Sequence, residues 1–179
     1  KAPRAMVVVG AGAVGVEFAD VFAAFGTEVT IVEVLPTLLP LEDADVSAEL
    51  GKAFRRRKIT ALTGAKISDV KVGKDSVSMS VEAGGKKTEL TVDRVLVAAG
   101  RAPNVEGIGL KEAGVQLTER GFVKIDDKFE TTAPGIYAIG DVAGPPLLAH
   151  KGSHEGIACI EGIHGDPHAG IDYANIPNC

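Results

Sequence analysis

The chain has 179 residues, 45% of them hydrophobic and 24% charged, with a formal net charge of −5 at pH 7. That is enough apolar material for one ordinary globular domain or two small ones, and the acidic balance provides no field to hold nucleic acid or an anionic membrane. No apolar run approaches the ~20 residues of a spanning helix, so a soluble protein with a small-molecule partner is expected. Cys159 and Cys179 are too few and too late in the chain for a disulfide framework, which points to a reducing compartment. The chain opens on Lys1 rather than methionine and closes on the abrupt run IDYANIPNC, so a piece of a longer protein is expected.

Residues 4–9 read as a buried strand, 13–25 as a helix and 28–33 (EVTIVE) as a second strand, because β-branched runs flank an alanine-rich segment. This is a βαβ unit, and its first turn is the GxGxxG of Gly10, Gly12 and Gly15. Gly10 and Gly12 permit a tight turn and a close backbone approach to a pyrophosphate, Gly15 lets the helix pack on the strand, and the helix N-terminus faces the phosphates. A turn used for packing alone is the competing reading. Glu33 ends the second strand close to the ~20-residue spacing at which an acid meets the ribose hydroxyls. Its carboxylate would repel a 2′-phosphate, and no Arg or Lys follows in VLPTLLPLED, so NAD is favoured over NADP.

The stretch EDADVSAELGKAFRRRK predicts a second helix, with Asp43 and Asp45 at its start, an apolar seam at Val46, Leu50 and Phe54, and Arg55 to Lys58 at its end. That basic run reads as a solvated helix end, not a nucleic-acid patch. From 65 to 92, AKISDVKV, SVSMSVEA and KKTELTV alternate between GKD and AGG turns, which predicts an antiparallel meander. RVLVAAG, residues 94–100, returns to a continuous apolar strand. The fold class expected is α/β, a Rossmann-like parallel sheet interrupted by an antiparallel β-meander. After RAPN the chain is turn-rich, with FVKI and GIYAIGD as candidate strands and a helix from about Leu148 to Ile163. A boundary is expected near Asn104.

GAGAVGVEFADVFAAFGTEVTIVE, VLVAAGRAPN, TTAPGIYAIGDV and GPPLLAHKGSHEG, in that order, resemble the flavoprotein disulfide reductases, and within that family the members that oxidise dihydrolipoamide. The likeness covers nearly the whole chain. It implies an NAD-binding domain over 1–104 and, over 105–179, an incomplete FAD-binding segment, the second part of an FAD-binding domain whose first part would precede Lys1. For NAD it implies contacts from Gly10, Ala11, Gly12, Ala13, Val14, Gly15 and Val16 in the turn and helix start, with Glu33 at the ribose. It further implies Glu17 near the nicotinamide carboxamide, paired with an upstream lysine, Ile67 beside the adenine, and Gly100 where a side chain would obstruct the cofactor. For FAD it implies Asp141, at the end of a strand, as a buried acceptor for the ribityl chain, with Leu147, Leu148, Ala149 and His150 passing the flavin ring. The helix that starts there points its positive end at the pyrimidine side, where negative charge gathers on reduction.

The function implied is the NAD- and FAD-binding portion of a homodimeric flavoenzyme that takes electrons from dihydrolipoamide, carried by the lipoyl domain of a 2-oxoacid dehydrogenase complex, and reduces NAD⁺ in the cytoplasm or the mitochondrial matrix. Two departures stand out. Ala13 replaces a tyrosine that gates the nicotinamide pocket in many relatives, and the family's CxxxxC pair and His-Glu acid/base pair are missing. No catalytic residue is therefore assigned, and the chain alone is expected to be inactive. An NADH oxidase, a mercuric reductase, or a non-catalytic NAD(H)-binding module remain alternatives. His150 and His154, and His164 and His168, have helical i, i+4 spacing, but glycine and proline interrupt the second pair and no motif supplies a third ligand, so no metal site is expected.

Overall fold

The computed structural model describes residues 1–177; Cys179 lies outside them. The chain divides into two compact units, Lys1–Gly100 and Arg101–Cys179.

In the first unit, strands β1 (Ala5–Val9), β2 (Glu28–Val32), β3 (Thr60–Leu62) and β7 (Arg94–Val97) form a sheet in the order β3-β2-β1-β7. All neighbours are parallel, with Val7 opposite Thr30 on one side and Val95 on the other. Alternation along β1 sorts its side chains to two faces. Met6 and Val8, with Val29 and Ile31 of β2, meet Val16 and Ala19 of α1 (Ala13–Ala24) and Phe54 of α2 (Ala44–Arg56). Val7 and Val32 instead meet Met79, Val81 and Val92 of the meander formed by β4 (Lys66–Val72), β5 (Val77–Ala83) and β6 (Lys86–Val92). Coverage on both faces explains why β1 is a continuous apolar run.

Two details of the first unit differ from the sequence reading. The β3 strand was not anticipated, because three residues are too short to show a period. In α2 the buried stripe runs through Ser47, Leu50 and Phe54 rather than Val46, which is half-exposed. Ser47 earns that place by donating its hydroxyl to Leu39 O at 3.3 Å, a partner that hydrophobicity cannot reveal. The α2 N-cap is Asp43, whose carboxylate accepts from Asp45 N at 2.8 Å.

The second unit is built mostly from turns. Neither FVKI nor GIYAIGD is a strand: the described residues here pair only through single bridges, Leu117 with Val123, Ile125 with Thr131 and Glu130 with Tyr137. An apolar β-branched run reports extended backbone and burial, whereas a strand also needs a neighbour beside it over several residues. Residues Gly140–Ala143 form a 3₁₀ turn, and helix α3 spans Ala149–His164, closed by Gly165 at φ +95°. Small apolar clusters gather around Val115, Val123 and Ala133, and around Phe129, Ala158 and Cys159. Among the described residues no helix is long and apolar enough to cross a membrane.

Candidate functional site

The three glycines of the first turn meet different demands. Gly10 sits at φ +102°, and a Cβ there would lie 2.5 Å from Ala98 O. A Cβ on Gly15 would lie 2.0 Å from Gly10 O. Both are imposed by packing and conformation. Gly12 is different: its φ of −70° suits any residue, and no atom lies within 4 Å of where a Cβ would project. It is the N-cap of α1, which has no side-chain cap and no acid in its first turn. The first intrahelical bond runs from Val16 N to Gly12 O at 3.1 Å, leaving the amides ahead of it without an intrahelical acceptor. Open space, unanswered amides and the positive end of a helix dipole thus coincide.

Ala11 is fully buried. Its amide donates to Glu33 Oε2 at 2.7 Å, and Leu35 N donates to Glu33 Oε1, also at 2.7 Å. Glu33 is only 7% exposed and braces the glycine turn against the loop after β2. Each oxygen keeps further lone-pair capacity. The remaining residues predicted for NAD are placed differently from one another. Ala13 and Glu17 are exposed, and Glu17 has no side-chain partner among the described residues. Val14 is half-buried, while Val16 is buried in the core between α1 and the sheet. Gly100 is exposed at φ +127° with open space around it. Ile67 packs on the meander core and, with Val9, Val77 and Val97, lines a cleft of about 520 Å³ that the glycine turn does not line.

In the second unit Asp141 is the second residue of the 3₁₀ turn and does not end a strand, and it is exposed, where a buried acceptor was expected. Its carboxylate faces the Arg101 guanidinium at 3.4 Å. Leu147 and Leu148 are half-buried, and Leu148 is the N-cap of α3, again with no side-chain cap and no acid in the first turn. Ala149 is exposed, and His150 Nε2 lies 2.9 Å from Pro177 O.

Sequence reasoning missed the most buried charges in this unit. Lys151 Nζ and Glu155 Oε1 are 3.1 Å apart, with each side chain 1% exposed. Lysine four residues before glutamate ordinarily marks a solvated pair on a helix face, so the pattern carried no signal. Tyr173 donates its hydroxyl to Glu155 Oε1 at 2.7 Å. Partial burial, and then that bond to a carboxylate, push the Tyr173 phenol up to about 12.

The chain is 44% identical over 179 residues to a dihydrolipoyl dehydrogenase of Rhizobium etli, covering 99% of the chain and 37% of the relative. It is 46% identical over 166 residues to one of Corynebacterium glutamicum, covering 92% and 35%. The chain therefore spans little more than a third of the curated relatives it matches. Among solved structures it resembles the HOCl-induced flavoprotein disulfide reductase RclA from Escherichia coli, with a TM-score of 0.85 at 28% identity over 100% of this chain and 40% of that one. It also resembles LpdA from Mycobacterium tuberculosis, with a TM-score of 0.82 at 30% identity over 96% and 37%. The sequence pattern that defines the pyridine nucleotide-disulphide oxidoreductases matches residues 1–156, and the chain belongs to that family.

Proposed function

We propose that the chain is the dinucleotide-binding portion of an NAD-linked flavoenzyme that oxidises dihydrolipoamide, with residues 1–104 seating NAD and 105–179 supplying part of the seat for FAD. The observation that carries this reading is the open, uncapped helix start at Gly12, flanked by two glycines that packing demands. It has the form of a pyrophosphate cradle, and the residues around it fit a dinucleotide. When bound, NAD⁺ supplies a hydride acceptor and FAD a two-electron relay.

The chain's own residues then have separable tasks. Amides at the start of α1 hold the pyrophosphate, and the free lone pairs of Glu33 accept the ribose hydroxyls while its charge excludes a 2′-phosphate. Ile67 meets the adenine, Glu17 meets the nicotinamide carboxamide, and Gly100 keeps the cofactor's path clear. Asp141 accepts a ribityl hydroxyl, and the uncapped start of α3, reached through Leu147 and Leu148 and continued by Ala149 and His150, favours negative charge at the flavin pyrimidine. The redox disulfide and the acid/base pair lie outside this chain in this reading. The electron donor is a lipoyl domain of a 2-oxoacid dehydrogenase complex, and the enzyme is a homodimer of the cytoplasm or mitochondrial matrix.

Calorimetric titration with NADH and NADPH tests the first part. NADH is expected to bind more tightly, and tighter binding of NADPH would overturn the assignment of Glu33.

A further inference from the structure

Burying two charges is costly unless hydrogen bonds answer their remaining donors and acceptors, and the partners of the α3 pair are concentrated in one place. Lys151 Nζ donates to Gly140 O at 3.0 Å and to Gly144 O at 2.7 Å. Gly140 N donates to Glu155 Oε2 at 2.6 Å. Among the described residues, every outside partner of the two side chains apart from the Tyr173 hydroxyl is thus backbone of the two glycines that bracket residues 141–143. Those glycines sit at φ +73° and +127°, conformations that glycine enters freely, so a glycine backbone needs outside contacts to hold one of them. A Cβ on Gly152 would stand 3.2 Å from Gly140 Cα, so α3 abuts the turn directly. The Asp141 carboxylate is exposed and bonded only to Arg101 among the described residues, so its placement comes from the backbone that carries it.

We propose that Lys151 and Glu155 form a clamp that fixes the backbone of residues 140–144 and so presents the Asp141 carboxylate to the ribityl chain of a flavin. They are positioning residues, and the proposal rests on the flavin reading above. Apolar packing of α3 would stabilise the unit equally well. The ion pair adds direction, because its three bonds to the turn dictate where three peptide groups point.

The test uses the full chain, isotopically labelled, with FAD added at millimolar concentration so that weak contact registers as chemical-shift change at Asp141. The double variant Lys151→Met, Glu155→Met replaces the pair with apolar side chains, so that neither charge is left buried without its partner. The fold is expected to be retained, and the amides of residues 158–163 in α3 are expected to keep their exchange rates. The Gly140 amide is expected to exchange at least about tenfold faster, reflecting local opening of the turn, and the FAD-induced shifts at Asp141 are expected to vanish. In Asp141→Asn, Gly140 stays protected while those shifts are lost. Unchanged Gly140 exchange in the double variant overturns the clamp, whatever FAD does. Faster exchange there, with FAD-induced shifts that survive Asp141→Asn, retains the clamp and overturns the flavin reading.

Discussion

Gly12 and Gly15 lie three residues apart and answer to different forces, which substitution separates. Gly12→Val projects into open space at an ordinary φ, so circular dichroism is expected to be unchanged while calorimetric NADH binding disappears. Gly15→Val drives a side chain into the Gly10 carbonyl, and a loss of about 3 kcal/mol or more is expected in denaturant unfolding. If both variants lose structure together, the turn serves packing alone. Tyr173 gives a second residue-scale expectation. Its phenol is raised from 10.0 to about 12 in the folded chain, so its contribution to stability is present below pH 10 and is lost as pH rises through 12. Glu155→Gln removes the carboxylate beside it and is expected to bring the phenol back down towards its ordinary range. Phenolate absorbance followed against pH, with Tyr173→Phe to assign the transition, checks this; a midpoint that does not move would mean the carboxylate contributes nothing.

At the scale of elements, Glu33 shows how the end of one strand organises another element's turn. Its two amide bonds, to Ala11 and Leu35, join the loops after β1 and β2. Glu33→Ala removes a buried acceptor from both amides, and unfolding free energy is expected to fall by about 2–3 kcal/mol. NADH binding, measured separately by calorimetry, is expected to weaken by a further ~1–3 kcal/mol for the lost ribose contacts. Full stability with weakened binding would show that water replaces the carboxylate at both amides. Spacing after the glycine turn singled out the acid as a candidate, but its structural duty was not legible, since a hydrogen bond across 22 positions leaves no local pattern. The same limit explains Ser47, whose burial depends on the Leu39 carbonyl, and Lys151 with Glu155, whose spacing is that of a solvent-facing pair.

For the whole molecule, the two units differ in the kind of support they contain. Lys1–Gly100 has a four-stranded parallel sheet covered on both faces. Arg101–Cys179 has isolated bridges, one long helix and small apolar clusters. The chain is expected to remain colourless after gel filtration with one equivalent of FAD, to show no lipoamide-dependent NAD⁺ reduction, and to be cut by protease first beyond Asn104. Stoichiometric flavin absorbance, or a resistant second unit in a monomer, would show that 105–179 is self-sufficient. The sequence by itself determined the βαβ unit, the meander and the glycine turn, because each rests on short-range periodicity or on residues required at fixed spacing, while its resemblance to known motifs gave the family. Tertiary structure alone decided which glycine faces open space, which face of α2 is buried, that GIYAIGD is no strand, and that a lysine and a glutamate are sealed beneath the Asp141 turn. Those outcomes depend on which distant backbone groups arrive to answer a donor or acceptor, and hydrogen-bond partners brought together by folding leave no trace in local order.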